Sequence, residues 1–444
     1  GSLIAIPDEV RAFVRERFPL DAAKQAHLDR VIMQYFAQTW SEEMPVPLNA
    51  EWRARLNNVR ALIERQLSAP PLLSPAELSR LLVATAPTFL AAGLAETFLG
   101  YASALRRRLP EGDDLARLQI AMGQALAALP GKQDEAGWLF QVTVTLANLN
   151  RVTLAEASLA YGRHLLSVEQ PGAALDVLAR AFRAVMTPPE SANVRVAALL
   201  ACEWGRALAS RQQHADAVKR FEGALAGFAR TRQAALSVIA QRELGRSLLV
   251  LGDTARAEDV LRRALATADF IARRDLSADL RRLLAEIETA RAGQLRREER
   301  VAEASTAISE AVRHLSGAVP DALTTPDRLV LARCLHDLAR VQAQAGMIDD
   351  GAANAARAHA LFAAVGSSPD LAEASITLGQ LRMAQGDAVR AQAALHEALD
   401  LAQALDLPEL LERAATVLVR VHQIRARHAL QGDPAFRHDT VTQA

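Results

Sequence analysis

Four arginines, Arg163, Arg206, Arg246 and Arg340, are the side chains whose type and spacing could best do chemistry, because each directly follows the small residue of a recurring helical segment. A guanidinium is permanently charged and presents a planar fork of donors that matches carboxylates and other oxyanions. Brought into one stripe, four of them would favour an acidic peptide or an anionic ligand. The competing reading is internal pairing. Arginines on helices commonly meet nearby carboxylates, and Glu156, Glu203 and Glu243 are plausible partners.

That chemistry is recognition, and signatures of catalysis are missing. The sequence has no GxxxxGK[ST] phosphate loop, no GxGxxG after a strand, no HExxH and no CxxC. The histidines are scattered, and His422 and His428 are not spaced to share a helical face as an i,i+4 metal pair would. Cys202 and Cys334 fall in apolar helical segments and read as small core residues rather than nucleophiles. The pairs Asp113-Asp114 and Asp349-Asp350 stand at expected helix starts, where they complement the helix dipole. Arg106-Arg107-Arg108 and Arg296-Arg297 sit at helix ends without interleaved aromatics, which argues against a single-strand nucleic-acid surface. No catalytic residue, metal site or cofactor is expected.

Composition narrows the class further. The 444 residues carry 51 Lys+Arg against 51 Asp+Glu, so bulk charge gives no attraction to nucleic acid or an anionic membrane. Half the residues are hydrophobic but only 4% are aromatic, and the apolar set is mainly Ala and Leu without strand-like alternation. An all-α protein follows. Two cysteines make no disulfide framework, which fits a reducing, cytoplasmic setting. Apolar stretches are broken by charge well before the ~18 residues a membrane span needs. Gly1-Ser2 has the look of a cloning scar, so a piece of a longer protein is expected.

The elements that must position the arginines are helix pairs. Arg242–Ala268 is the clearest: two helices broken at Gly252-Asp253, a left-handed helix end followed by an N-cap. Gly245, Ala257 and Ala264 are the small residues of close helix approach, and Leu261 fills between them. The same offsets of 12, 16 and 19 residues recur from Gly162 (Ala174, Leu178, Ala181), Gly205 (Ala217, Phe221, Ala224), Ala292 (Ala304, Ile308, Ala311), Ala339 (Gly351, Ala355, Ala358) and Gly379 (Ala391, Leu395, Ala398). Degenerate versions are expected around Gly93 and Gly123. Ser74-Pro75-Ala76-Glu77 reads as a capping box opening the array, and Pro408 to about Leu430 as a final capping helix.

The spacing resembles the tetratricopeptide repeat, with its small residue in helix A and Ala, Phe/Leu, Ala in helix B. Gly205 and Gly245 stand 40 residues apart, as do Ala339 and Gly379, so the units are longer than the roughly 34 of the standard motif. The resemblance implies an α-solenoid, a right-handed superhelix of elongated helix pairs, whose inner groove would be faced by Arg163, Arg206, Arg246 and Arg340.

Residues 1–67 differ from the repeats. Helices are expected from Asp8 (Val10, Phe13, Val14 and Phe18 on one face), from Ala22 to Trp40 (Leu28, Ile32, Tyr35, Phe36) and from Glu51 to Leu67. Pro7, Val10, Arg11, Phe13, His27, Tyr35, Asn58, Arg60 and Ala61 resemble, in order, the segment between winged helix and repeats in STAND-class signalling ATPases. Ile6, where a His is common, and Arg55, where an acidic residue often stands, depart from that pattern. The repeat arm is similar to that of maltose-responsive LuxR-type transcription activators. This implies a helical connector (1–67), a repeat array (68–430) and a flexible tail (431–444).

The expected function is therefore that of a non-enzymatic sensor. Its groove would take a partner protein, a peptide or a small inducer, and its occupancy would regulate an upstream nucleotide-binding module. No direct nucleic-acid contact and no membrane are expected. A free-standing scaffold for protein–protein interaction is the alternative. An α/α-toroid enzyme is a weaker one, since sugar sites need aromatic platforms and the four Trp and three Tyr are dispersed.

Overall fold

Alanine- and leucine-rich segments joined by short polar turns give nineteen α-helices among the described residues and no strand there. The computed structural model describes residues 17, 21–39, 50–68, 73–187, 193–325 and 327–430. The expected helix from Asp8, with Pro7, Val10, Arg11 and Phe13, lies outside them, as do the Tyr35 and Phe36 side chains and the tail from 431. The chain divides into two units, residues 1–233 and 234–444.

The first unit holds α1 (Ala22–Thr39), α2 (Ala50–Ser68), α3 (Pro75–Ala91), α4 (Ala95–Arg106), α5 (Asp113–Ala127), α6 (Gln133–Val144), α7 (Arg151–Ser167), α8 (Pro171–Val185), α9 (Val194–Ser210) and α10 (His214–Arg230). Val59, Leu62 and Ile63 of α2 are buried with Leu81, Leu82 and Phe89 of α3 and Phe98 of α4. Asp29 of α1 is fully buried and accepts from Arg65 (2.9 Å) and Gln66 (2.7 Å) of α2, a polar tie the apolar pattern did not reveal. Leu28 beside it is exposed. The capping box is present: Glu77 N–H donates to Ser74 Oγ (3.2 Å) and Ser74 N–H to the Glu77 carboxylate (2.8 Å).

The second unit holds α11 (Ala234–Val250), α12 (Thr254–Phe270), α13 (Arg274–Arg297), α14 (Val301–Leu323), α15 (Arg328–Gln344), α16 (Ile348–Val365), α17 (Ser368–Ala384), α18 (Ala388–Ala404) and α19 (Pro408–Leu430). Successive helices form hairpins. The turn after α11 shows the device. Gly252 adopts φ +80°, its N–H donates to Leu249 O (3.0 Å), and Asp253 N–H reaches back to Leu248 O (3.0 Å). This is a Schellman closure. Asp253 then caps α12 by accepting from Arg256 N–H (3.3 Å), so one residue ends a helix and starts the next.

Small-against-large contact explains the repeat. A Cβ at Gly245 would stand 2.6 Å from Leu261 Cδ2, and Gly162, Gly205 and Gly379 stand equally close to Leu178, Phe221 and Leu395. No side chain fits at these positions unless the large partner moves. Two expectations need correction. Gly93 is not a helix-packing residue: it sits in the α3–α4 turn at φ +72°, a conformation that favours glycine for backbone rather than packing reasons. Gly123 does pack, but against Phe140, one residue beyond the usual offset, because the α5–α6 connection is longer than the three-residue turns of the regular pairs.

Candidate recognition groove

The first-of-pair helices α11, α13 and α15 carry polar residues that, together with Leu315 of α14, line a groove of about 710 Å³ within the second unit. Arg246 enters it from α11, Asp279, Arg282 and Glu286 from α13, and Asp337 and Arg340 from α15. Val250, Leu283 and Val341 supply apolar wall.

Charge on these helices is arranged as a ladder. Arg242 of α11 donates to Asp279 of α13 (2.8 Å) and to the neighbouring Glu243 (2.7 Å). Arg282 of α13 donates in turn to Asp337 of α15 (2.7 Å), and Arg333 of α15 to Asp370 of α17 (3.0 Å). Burial opposes the charge on Arg282, yet Asp337 and Asp279 outweigh it and hold the guanidinium above its ordinary range. Each rung ties one pair to the next by charge-assisted hydrogen bonds, which are the stronger class.

The four arginines expected to form one stripe fall into two settings. In the first unit, Arg163 (2.8 Å) and Arg206 (2.9 Å) both donate to Glu203, whose side chain is only 7% exposed. Glu156, one of the expected partner carboxylates, accepts from Arg117 (3.2 Å) rather than from any of the four. In the second unit, Arg246 stands 3.7 Å from Glu243 and Arg340 3.9 Å from Asp337, at the outer edge of ion pairing and beyond hydrogen-bond reach. Their better-placed neighbours Arg242 and Arg282 already occupy those carboxylates. Arg246 (44% exposed) and Arg340 (51%) therefore keep donors turned to the groove.

Glu286 was not among the expected site residues. It follows Ala285 on α13 as Arg246 follows Gly245, so the register could have identified it. The repeat offsets matched Ala292 instead, two helical turns further along a helix that is longer than its neighbours. The cysteines carry no reactive site. Both are buried, and burial pushes the Cys334 thiol up to about 12. Among the described residues no group of three potential metal ligands occurs, and no helix is long and apolar enough to cross a membrane.

No protein-family model matches the chain and no curated protein matches it in sequence. Solved structures do match. A signal-transduction ATPase with numerous domains (STAND) with a tetratricopeptide-repeat sensor from Pyrococcus horikoshii aligns with a TM-score of 0.60 at 14% identity, covering 92% of this chain and 57% of that one. The chain thus spans a little over half the length of that ATPase. The apo form of RapI aligns at 0.54 and 10% identity, covering 85% of this chain and 98% of its own. A monomeric IFIT1 mutant with Gppp-AAAA aligns at 0.50 and 14%, covering 90% and 95%. Identities this low speak to fold alone. The chain is an all-α helical-repeat protein, an α-solenoid of elongated tetratricopeptide-like pairs.

Proposed function

We propose that this chain is a non-enzymatic recognition array that takes a segment of a partner protein in the groove of its second unit. The observation that carries this reading is the pair Arg246 and Arg340, half exposed on a common groove with donors that no carboxylate occupies at hydrogen-bond distance. Two of the three groove carboxylates, Asp279 and Asp337, accept from arginines. Such engagement suits recognition better than proton transfer. Three cations balanced by three anions also give phosphate backbones little net attraction.

Within a longer protein, the array would act as the sensor region of a STAND-type ATPase. The ordered residues His27, Asn58, Arg60 and Ala61, and the fold likeness to an ATPase of which this chain spans 57%, support that placement. Residues 1–67 would then connect the array (68–430) to an upstream nucleotide-binding module. Occupancy would regulate the module by binding one of its states more tightly than the other. The second reading, a free-standing scaffold, is favoured by the likeness to RapI, where the match extends over 98% of that chain. The two readings part on whether the intact protein binds ATP.

Panning a random peptide display library on the chain tests recognition itself. Selected peptides are expected to bind Arg246→Ala/Arg340→Ala at least about 100-fold more weakly, since each lost charged hydrogen bond costs ~1.5–3 kcal/mol. Equal affinities for the double variant and the parent chain would refute the groove as the site.

A further inference from the structure

The groove's uncommitted charges alternate in sign along the order of its helices. Arg246 on α11 is positive, Glu286 on α13 negative and Arg340 on α15 positive, each directly after a small residue: Gly245, Ala285 and Ala339. Glu286 is exposed and has no ion-pair or hydrogen-bond partner among the described residues, although three arginines line the same groove. The remaining groove charges are paired: Asp279 with Arg242, which lies outside the groove lining, and Asp337 with Arg282.

Spacing turns this pattern into a reading frame. Packed helices lie ~8–10 Å apart, and a chain in the polyproline II conformation advances ~3.1 Å per residue with three residues per turn, so every third side chain shares a face. Passing from one groove helix to the next therefore takes about three residues, one turn, of such a peptide. Val250 is 62% exposed on the same wall, which favours an apolar side chain in the occupant. We infer that the groove selects a peptide segment in the polyproline II conformation, of the form acidic-x-x-basic-x-x-acidic with apolar residues between the charges, its acidic groups on Arg246 and Arg340 and its basic group on Glu286. This inference rests on the recognition reading above and adds the partner's charge pattern to it. A small zwitterion does not fit the same role, because two helix spacings, ~16–20 Å, separate the outer cations. A nucleic-acid strand would place phosphate against Glu286.

The test uses the full chain, a random dodecapeptide display library, and synthetic copies of the enriched peptides titrated by fluorescence anisotropy. Enrichment of acidic-x-x-basic-x-x-acidic segments is expected. Glu286→Lys should weaken the enriched peptides at least tenfold, and replacing the central basic residue of a peptide by Glu should restore affinity for Glu286→Lys. Because Glu286 is exposed, that variant leaves the fold intact, which a thermal melt checks. Enriched peptides without this periodicity, or peptides that bind Glu286→Lys as tightly as the parent chain, overturn the inference while leaving recognition by Arg246 and Arg340 standing. Peptides that bind Arg246→Ala/Arg340→Ala undiminished overturn both. If the parent chain enriches no peptide at all, both fall together.

Discussion

Ala257→Glu is expected to unfold the second unit at temperatures where the parent chain is intact. Ala257 is fully buried on α12, twelve residues after Gly245, in the seam between α11 and α12. A glutamate there would carry a charge into an apolar contact with no provided partner. An uncompensated buried charge costs ~3–5 kcal/mol, and in a repeat array the loss falls on a pair and its immediate neighbours. Gly245→Leu is the milder companion, expected at ~1–3 kcal/mol of overpacking, because even its Cβ would stand 2.6 Å from Leu261 Cδ2. Truncating that partner in Gly245→Leu/Leu261→Ala should recover part of the loss, a non-additivity expected only of residues in contact. Circular-dichroism melts should rank the parent above Gly245→Leu and Gly245→Leu above Ala257→Glu. Coincident melts would show the seam to be placed wrongly.

That seam was legible in the sequence because it is written locally. A small residue on one helix and a large one 16 positions later meet through a single hairpin, so the spacing from Gly162, Gly205, Gly245 and Gly379 already encodes the packing. Gly93 shows where such reasoning fails. A glycine wanted for positive φ and one wanted for close approach look alike until the turn is placed. Seven non-glycine residues among the described ones, including Gln212, Arg232 and Ala272, hold positive φ. No glycine marks those helix ends, yet closures such as Gln213 N–H to Leu208 O (2.9 Å) form all the same.

The candidate site was only half legible, for a related reason. Which side chains follow the small residue can be read along the chain, and this picks out Arg246 and Arg340. Which carboxylate each arginine meets depends on contacts between pairs. Arg242 with Asp279 spans 37 residues and Arg282 with Asp337 spans 55, too far for helical periodicity to report. Glu243 and Asp337 each lie within ion-pair reach of two arginines, and the nearer one takes the hydrogen bonds. Competition for shared carboxylates, rather than the number of arginines, leaves Arg246 and Arg340 available. The same competition is resolved differently on Glu203, which serves both Arg163 and Arg206. The four arginines therefore differ in what holds them: Arg163 and Arg206 share Glu203 at hydrogen-bond distance, whereas Arg246 and Arg340 stand beyond that distance from Glu243 and Asp337.

Acid should destabilise the fold well before carboxylates titrate. His164, His314 and His336 are all buried, and burial holds each below its ordinary pKa of 6.5. His164 Nδ1 has no hydrogen-bond partner, and its ring lies against Phe140 with only Asp134 to favour its charge. His314 faces Arg313, Arg281 and Arg262 against a single Glu310. His336 meets Thr377 Oγ1 at 2.9 Å and the Phe362 ring, with Asp337, Glu373 and Asp370 partly countering its burial and Arg340 adding to it. Well above pH 6.5 these rings are neutral in both states and contribute no slope. Below it the unfolded chain takes up protons that the folded chain refuses, so each histidine removes stability at up to ~1.4 kcal/mol per pH unit until its folded pKa is reached. Glu77, Asp275 and Asp370, held low, lose their contributions only as pH falls through the carboxylate range. Glu288, raised by burial, acts in the opposite sense, gaining stability as it protonates. Melting temperature should accordingly be flat above about pH 7.5, begin to fall towards pH 6.5 and drop more steeply by pH 5.5, with a combined slope of at most ~4 kcal/mol per pH unit. Replacing all three histidines by glutamine removes the titrating rings while keeping a polar side chain of similar reach. If that triple variant lost as much stability between pH 6.5 and 5.5 as the parent chain, the buried histidines would not be the origin of the acid sensitivity.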